Sequence, residues 1–131
     1  MKLSEKQKND WIAALKNLGY LPEGENLVEH TAGDFWEFLF SQVRGNFFFT
    51  EKTMIFVGGM LGSTNWAVPY EKITEIKKCN VGGLIPIMPT GIKIFYTDEK
   101  GKSGKKICSV LKRNNWIDFL NSKIGNVKKC A

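Results

Sequence analysis

The side chains of this chain that could do chemistry are few, and most are of one kind. His30 is the only histidine among 131 residues, which excludes a metal centre built on several imidazoles. Asp34 stands four residues further on, but no serine or cysteine nucleophile is evident beside the two, so His30 reads as an ordinary strand histidine. Cys79, Cys108 and Cys130 are widely spaced and odd in number, and without a Cys-x-x-Cys pair they suggest neither a zinc site nor a disulfide framework. Gly58-Gly-Met-Leu-Gly62-Ser63 is glycine-rich but lacks the lysine and the following helix of a phosphate-cradling loop. Glu71 and Glu75 flank a strand and are expected to pair with lysines in solvent. No catalytic residue, metal ligand or cofactor is indicated, and a non-enzymatic protein is expected.

What remains is positive charge. The net charge is +6, and it is uneven: residues 1–70 hold six basic and eight acidic side chains, residues 71–131 thirteen basic and five acidic. The basic half suits an anionic partner. Lys77, Lys93, Lys105, Lys106, Lys112 and Arg113 are the candidate anion-binding residues. Arg113 is the one arginine of that half, so diffuse attraction is favoured over bidentate phosphate recognition. Strand alternation sends Lys77 and Lys78 to opposite faces, and likewise Lys105 and Lys106, so one of each pair can join Lys93 in a patch. The plainer reading of these lysines is a solvated surface. A second candidate surface is the segment from Asn80 to Thr90, where Leu84, Ile85, Pro86, Ile87 and Met88 lie among glycines and prolines. Protruding, it would offer a loop to a partner or membrane; folded back, it would cover the barrel or form an irregular edge strand.

These residues must be carried by a mainly β scaffold. At 131 residues the chain suits one domain with a real core, and no apolar run approaches the length of a membrane-spanning helix. Ser4 and Gln7 form a capping box, Trp11, Ile12, Leu15 and Leu18 make one apolar helical face, and Gly19 is a natural stop. That face is expected to pack on the rest of the domain. Leu27-Val28 with His30 reads as a short strand interrupted at Gly33-Asp34, and Phe35-Trp-Glu-Phe-Leu-Phe40 as a strand despite some helical spacing. Then come Gly45-Asn-Phe-Phe-Phe-Thr50, a tight turn, and Met54-Ile-Phe-Val57. Gly58 to Gly62 reads as a flexible loop. Strands follow at Trp66 to Tyr70, at Ile73 to about Lys78, at Gly91 to Thr97 and at Ile107 to Val110. A last helix begins near Lys112 to Asn114, presents Trp116, Phe119, Leu120 and Ile124, and ends at Gly125. The polar tail 126–131 is expected not to order itself.

Three motifs in this order, Gly45-x-Phe-x-Phe-Thr50 with Met54-Ile-Phe56, Val68-Pro-Tyr-Glu-Lys-Ile73-Thr-Glu-Ile76, and Gly91-Ile-Lys-Ile94 with the run from Arg113 to Trp116, resemble the GRAM and bacterial pleckstrin-homology-like domains. The resemblance covers residues 45–120. It implies a bent, antiparallel seven-stranded barrel closed by a C-terminal helix, here with an extra N-terminal helix: 1–22 helix and linker, 23–125 the domain, 126–131 the tail. Members of that family bind phosphoinositides, peptides or other proteins. Eukaryotic lipid binders often carry a lysine/arginine cluster on the first hairpin, where this chain has only Lys52 beside Glu51. The leading expectation is therefore a binding module for a protein partner or a second copy of itself, acting through the loop 82–89 or the N-terminal helix. The alternative is peripheral binding to anionic phospholipid headgroups through the lysine-rich half. Nucleic acid is not favoured, since the aromatics fall at core positions, and no small-molecule substrate is indicated. The polar first ten residues point to the cytoplasm, with the inner face of a membrane as the place of any peripheral attachment.

Overall fold

Ser4 opens the first helix by a reciprocal cap: its Oγ accepts from the Gln7 N–H at 3.2 Å, and the Gln7 side chain accepts from the Ser4 N–H at 3.1 Å. The computed structural model describes residues 4–38, 41–82 and 88–129. Along it run α1 (Glu5–Asn17), β1 (Leu27–Phe38), β2 (Ser41–Thr50), β3 (Thr53–Gly58), β4 (Thr64–Pro69), β5 (Ile73–Val81), β6 (Met88–Thr97), β7 (Ser103–Ser109) and α2 (Arg113–Lys129). The seven strands form one antiparallel sheet in the order β4-β3-β2-β1-β7-β6-β5. Two meanders, β1–β4 and β5–β7, are joined where β1 pairs with β7 over Asp34↔Ser109, Phe35↔Cys108 and Trp36↔Ile107.

The sheet curls at a line of glycines. Gly33 on β1 stands opposite Gly45 on β2, and Gly45 opposite Gly58 on β3. A methyl group at Gly45 would lie 2.4 Å from the Val57 carbonyl oxygen; one at Gly33 would lie 2.6 Å from that of Ser109 and 2.7 Å from the Phe47 ring. The backbones and rings therefore approach more closely than any other residue allows. This also corrects the expected break at Gly33-Asp34: β1 is one continuous strand, and its glycine marks a close crossing. Leu39 and Phe40 lie outside the described residues.

Alternation then sorts the Phe47-Phe48-Phe49 run. Phe47 and Phe49 join Phe35, Met54, Phe56, Val68, Ile73, Ile92, Ile94 and Cys108 in the core inside the curled sheet. Phe48 points the other way, with Ile55 and Val57, and this outer surface is covered by α1 through Leu15, Trp11 and Ile12. The Trp11 and Phe48 rings lie 4.8 Å apart. The expectation that the α1 face packs on the domain holds, except for Leu18, which caps the helix C-terminus before Gly19 turns at φ 82° and is 40% exposed.

At the other side α2 plugs the barrel. Trp116 stacks on Phe49 at 4.8 Å, Phe119 meets the same ring edge-on at 5.2 Å, and Leu120 is buried. The helix continues through Gly125 to Lys129, although Gly125 and the tail read as its end. A glycine inside a helix costs only about 1 kcal/mol against alanine, and this one meets nothing within 4 Å. Strand β5 likewise runs past Lys78 to Val81, and β6 starts at Met88 rather than Gly91. A register shift between Cys79 and Val81 sets one residue of β5 against two of β6, Pro89 and Thr90. The expected hairpin at 50–53 is present: Thr50 Oγ1 accepts from the N–H groups of Lys52 and Thr53, and the buried Tyr70 donates its hydroxyl to the Thr50 carbonyl at 2.8 Å. Gly58 to Gly62, expected as a flexible loop, carries two successive turns, with the Gly62 N–H donating to the Gly59 carbonyl at 3.4 Å and the Ser63 N–H to the Met60 carbonyl at 3.0 Å.

Two substitutions test this architecture by urea unfolding. Gly45→Ala forces backbone apart and should lower stability by about 1–3 kcal/mol. Leu15→Ala hollows the contact beneath α1 and should cost about 2–5 kcal/mol.

A candidate anion-binding recess at the open end of the barrel

The register divides the basic residues into three groups. Lys77 pairs with Lys93 across β5 and β6, while Lys105 pairs with Phe95, the next outward residue of β6. Lys77, Lys93 and Lys105 thus share the outer face of the second meander, as alternation requires. Lys77 is already engaged, 3.6 Å from a Glu75 carboxylate oxygen and 5.9 Å from the Phe95 ring centre. Lys112 and Arg113 stand apart, beyond the far end of β7. Lys112 is exposed with φ 56°, and the Arg113 guanidinium donates to the Cys79 carbonyl at 3.2 Å, tying the start of α2 to the edge of the sheet. The six basic candidates do not form one site.

Lys106 is the exception in direction. It pairs with Ile94, so it faces inward, and it is half-buried. Its ammonium lies 5.4 Å from the ring centres of Phe35 and Trp66 and 5.9 Å from that of Tyr96. Such contacts with an ammonium are worth about 0.5–1 kcal/mol each when exposed and more when desolvated. Among the described residues no ion pair involves Lys105 or Lys106. Both line a recess of about 520 Å³. Ser63, Thr64 and Asn65 form its opposite wall, and Glu37 is its carboxylate. The recess opens where the end of β1, the β3–β4 connection and the start of β7 converge. It presents the Lys106 ammonium over an aromatic floor, with the hydroxyl-bearing Ser63 and Thr64 in its wall and Lys105 contributing from an outward-facing strand position, donors suited to an anion's oxygens. Strand alternation gave Lys106 as a possible patch member; that its floor is Phe35, Trp66 and Tyr96 was hidden because those aromatics read only as core.

Elsewhere the other candidates fall as follows. Leu84, Ile85, Pro86 and Ile87 lie outside the described residues. Met88 is 53% exposed and, with the 78% exposed Leu111, lines a second cleft of about 500 Å³. Asp34 lies in its wall, 3.7 Å from the Arg44 guanidinium, so its ionic partner is Arg44 and not His30. His30 lies over Phe48, and burial lowers its pKa. Among the described residues no three His, Cys, Asp or Glu side chains gather as metal ligands would. Burial pushes the Cys79 thiol up, opposed in part by Lys93 and Arg113, and pushes the fully buried Cys108 well above the ordinary thiol range.

No family model and no curated protein matches the chain. Solved structures do, at the level of fold. The C-terminal domain of an unknown protein from Leishmania infantum is 16% identical, with TM-score 0.64, over 89% of this chain and 96% of that one. The Vps36 N-terminal PH domain is 14% identical, TM-score 0.59, over 83% and 86%. The hSac2 domain from the human phosphoinositide phosphatase Sac2 is 10% identical, TM-score 0.67, over 96% and 86%. The fold is thus pleckstrin-homology-like.

The thiols give a pH prediction. Both hold their protons to higher pH in the folded chain than in the unfolded one. Their contribution to stability is therefore complete below the free-thiol value of about 8.5 and declines as pH rises above it. The urea midpoint should fall between neutral and mildly alkaline pH, and Cys108→Ala should flatten that fall. In the native protein Cys108 should resist alkylation until denaturant is added.

Proposed function

We propose that this pleckstrin-homology-like barrel is a non-enzymatic binding module that docks through its open end on the phosphate groups of an anionic lipid surface. The observation that carries the reading is the Lys106 ammonium, held over three aromatic rings without a carboxylate partner among the described residues, with the exposed Lys105 on the opposite face of the same strand. A half-buried cation in that position lacks the ion pair that would normally accompany it. Anionic oxygens entering the recess would supply that partner, and Lys93 and Lys77 on the adjoining outer face add longer-range attraction. The reading places the protein in the cytosol, against the inner face of a membrane, where anionic lipids concentrate.

A protein partner, favoured on the sequence, loses one of its two surfaces: the apolar face of α1 is occupied by Phe48 and Ile55. It keeps one specific support, the exposed Met88 and Leu111 at the second cleft. These two apolar side chains suit a hydrophobic contact on a partner protein, and Asp34 with Arg44 would add polarity at its rim.

Vesicle co-sedimentation separates the readings. Binding to phosphatidylcholine vesicles containing phosphatidylserine, absent without it and weakened by salt, is the expected result. Lys105→Ala with Lys106→Ala should remove about 2 kcal/mol, roughly thirty-fold in affinity. Vesicle binding that ignores both substitutions, or no binding together with self-association that Leu111→Asp disperses, would favour the protein reading instead.

A further inference from the structure

The β3–β4 connection holds two apolar side chains away from the protein. Met60 is 83% exposed and Leu61 101% exposed, the most exposed large apolar residues among those described. Scattered surface leucines are common, but this pair is held in place by its backbone. Leu61 adopts φ 54°, ψ 28°, a left-handed conformation that a branched side chain avoids, between Gly59 at φ 75° and Gly62 at φ 72°. The turn around it is braced. Ser63 N–H donates to the Met60 carbonyl at 3.0 Å, and the Asn65 amide donates to the Gly62 carbonyl at 2.9 Å. The Asn65 side-chain oxygen in turn accepts from the Tyr20 hydroxyl at 2.6 Å. Tyr20, just beyond α1, packs with the cluster under that helix, so the brace is anchored in a core.

We propose that Met60 and Leu61 form a membrane-inserting tip, entering the boundary between headgroups and acyl chains while Lys106 in the recess, with Lys105 on the outer side of the same strand, meets the phosphates. This rests on the lipid reading above and adds to it the apolar half of the contact. The occupant is argued from charge and position. The residues that follow the tip, Ser63 to Asn65, are themselves the wall of the recess that Lys105 and Lys106 line. Apolar tip and unpaired ammonium groups therefore belong to one end of the barrel, the combination that an anionic bilayer meets with acyl chain beneath phosphate. The carboxylate of that recess is Glu37, and in the neighbouring β6–β7 turn Asp98 and Glu99 are balanced by Lys100 and Lys102. A rigid presentation matters because a turn already ordered loses little freedom on insertion.

The test uses the whole chain with phosphatidylcholine–phosphatidylserine vesicles. Leu61→Asp should weaken binding by about tenfold or more, the scale of returning one leucine to water. Leu61→Gly should weaken binding too, while leaving the melting temperature unchanged or higher, because glycine accepts the left-handed backbone; a merely structural role for Leu61 would lower it. Leu61→Trp should show emission, over that of the native tryptophans, that brominated acyl chains quench. If the wild-type chain binds these vesicles but Leu61→Asp binds equally well, or Trp at position 61 is not quenched, insertion is wrong and the headgroup reading survives. If the wild-type chain binds no anionic vesicle, both fall together.

Discussion

Everything in this molecule depends on how closely three strands approach where Gly33, Gly45 and Gly58 stand side by side. Side chains there would hold the backbones and the Phe47 and Phe56 rings apart, and the sheet would remain open. With only hydrogens at those positions the first meander bends, and Phe35, Phe47 and Phe56 close over one another at ring separations of 5.5 Å and 4.9 Å. The bend brings β1 against β7 and turns the second meander across the first. Two openings follow, one filled by Trp116, Phe119 and Leu120 of α2, the other left as the recess under Lys106.

Much of this was legible in the sequence because it rests on alternation and on turn chemistry. The hairpin at Thr50 announces itself by a polar turn between two β-prone runs, and the last helix by Trp116, Phe119 and Leu120 at helical spacing. The separation of Lys105 from Lys106 needs only the period of a strand. What was not legible depends on contacts between distant segments. Gly33 looks like a strand breaker until Ser109 and Phe47 are placed against it. Phe48 and Ile55, in runs apolar on both faces, do not say which side is the barrel interior and which the seat of α1. Phe35, Trp66 and Tyr96 come from three strands, so no spacing along the chain relates them to Lys106. Met60 and Leu61, an apolar pair between glycines, look along the chain like any slack glycine-rich connection, and only the left-handed backbone at Leu61 sets them apart.

The placement of charge also explains why a strongly basic half need not make one strong site. Lys77 and Lys93 lie on an exposed sheet face, where water screens them and Glu75 partly answers them. Arg113 serves the architecture by fastening α2 to Cys79. At the open end Lys106 meets the rings of Phe35, Trp66 and Tyr96, and a charge beside such low-dielectric walls acts more strongly than one on the exposed outer face.

The Tyr20 hydroxyl joins two parts of the molecule that a simple barrel would keep separate. Through Asn65 it fastens the β3–β4 connection to the segment that leads out of α1. Helix seating and tip geometry thus share a hydrogen bond. Whatever displaces the segment after α1 strains the bond that holds the β3–β4 connection, and whatever displaces that connection strains the same bond. The N-terminal helix is in that sense fastened to the β3–β4 end of the barrel as well as to the sheet it covers.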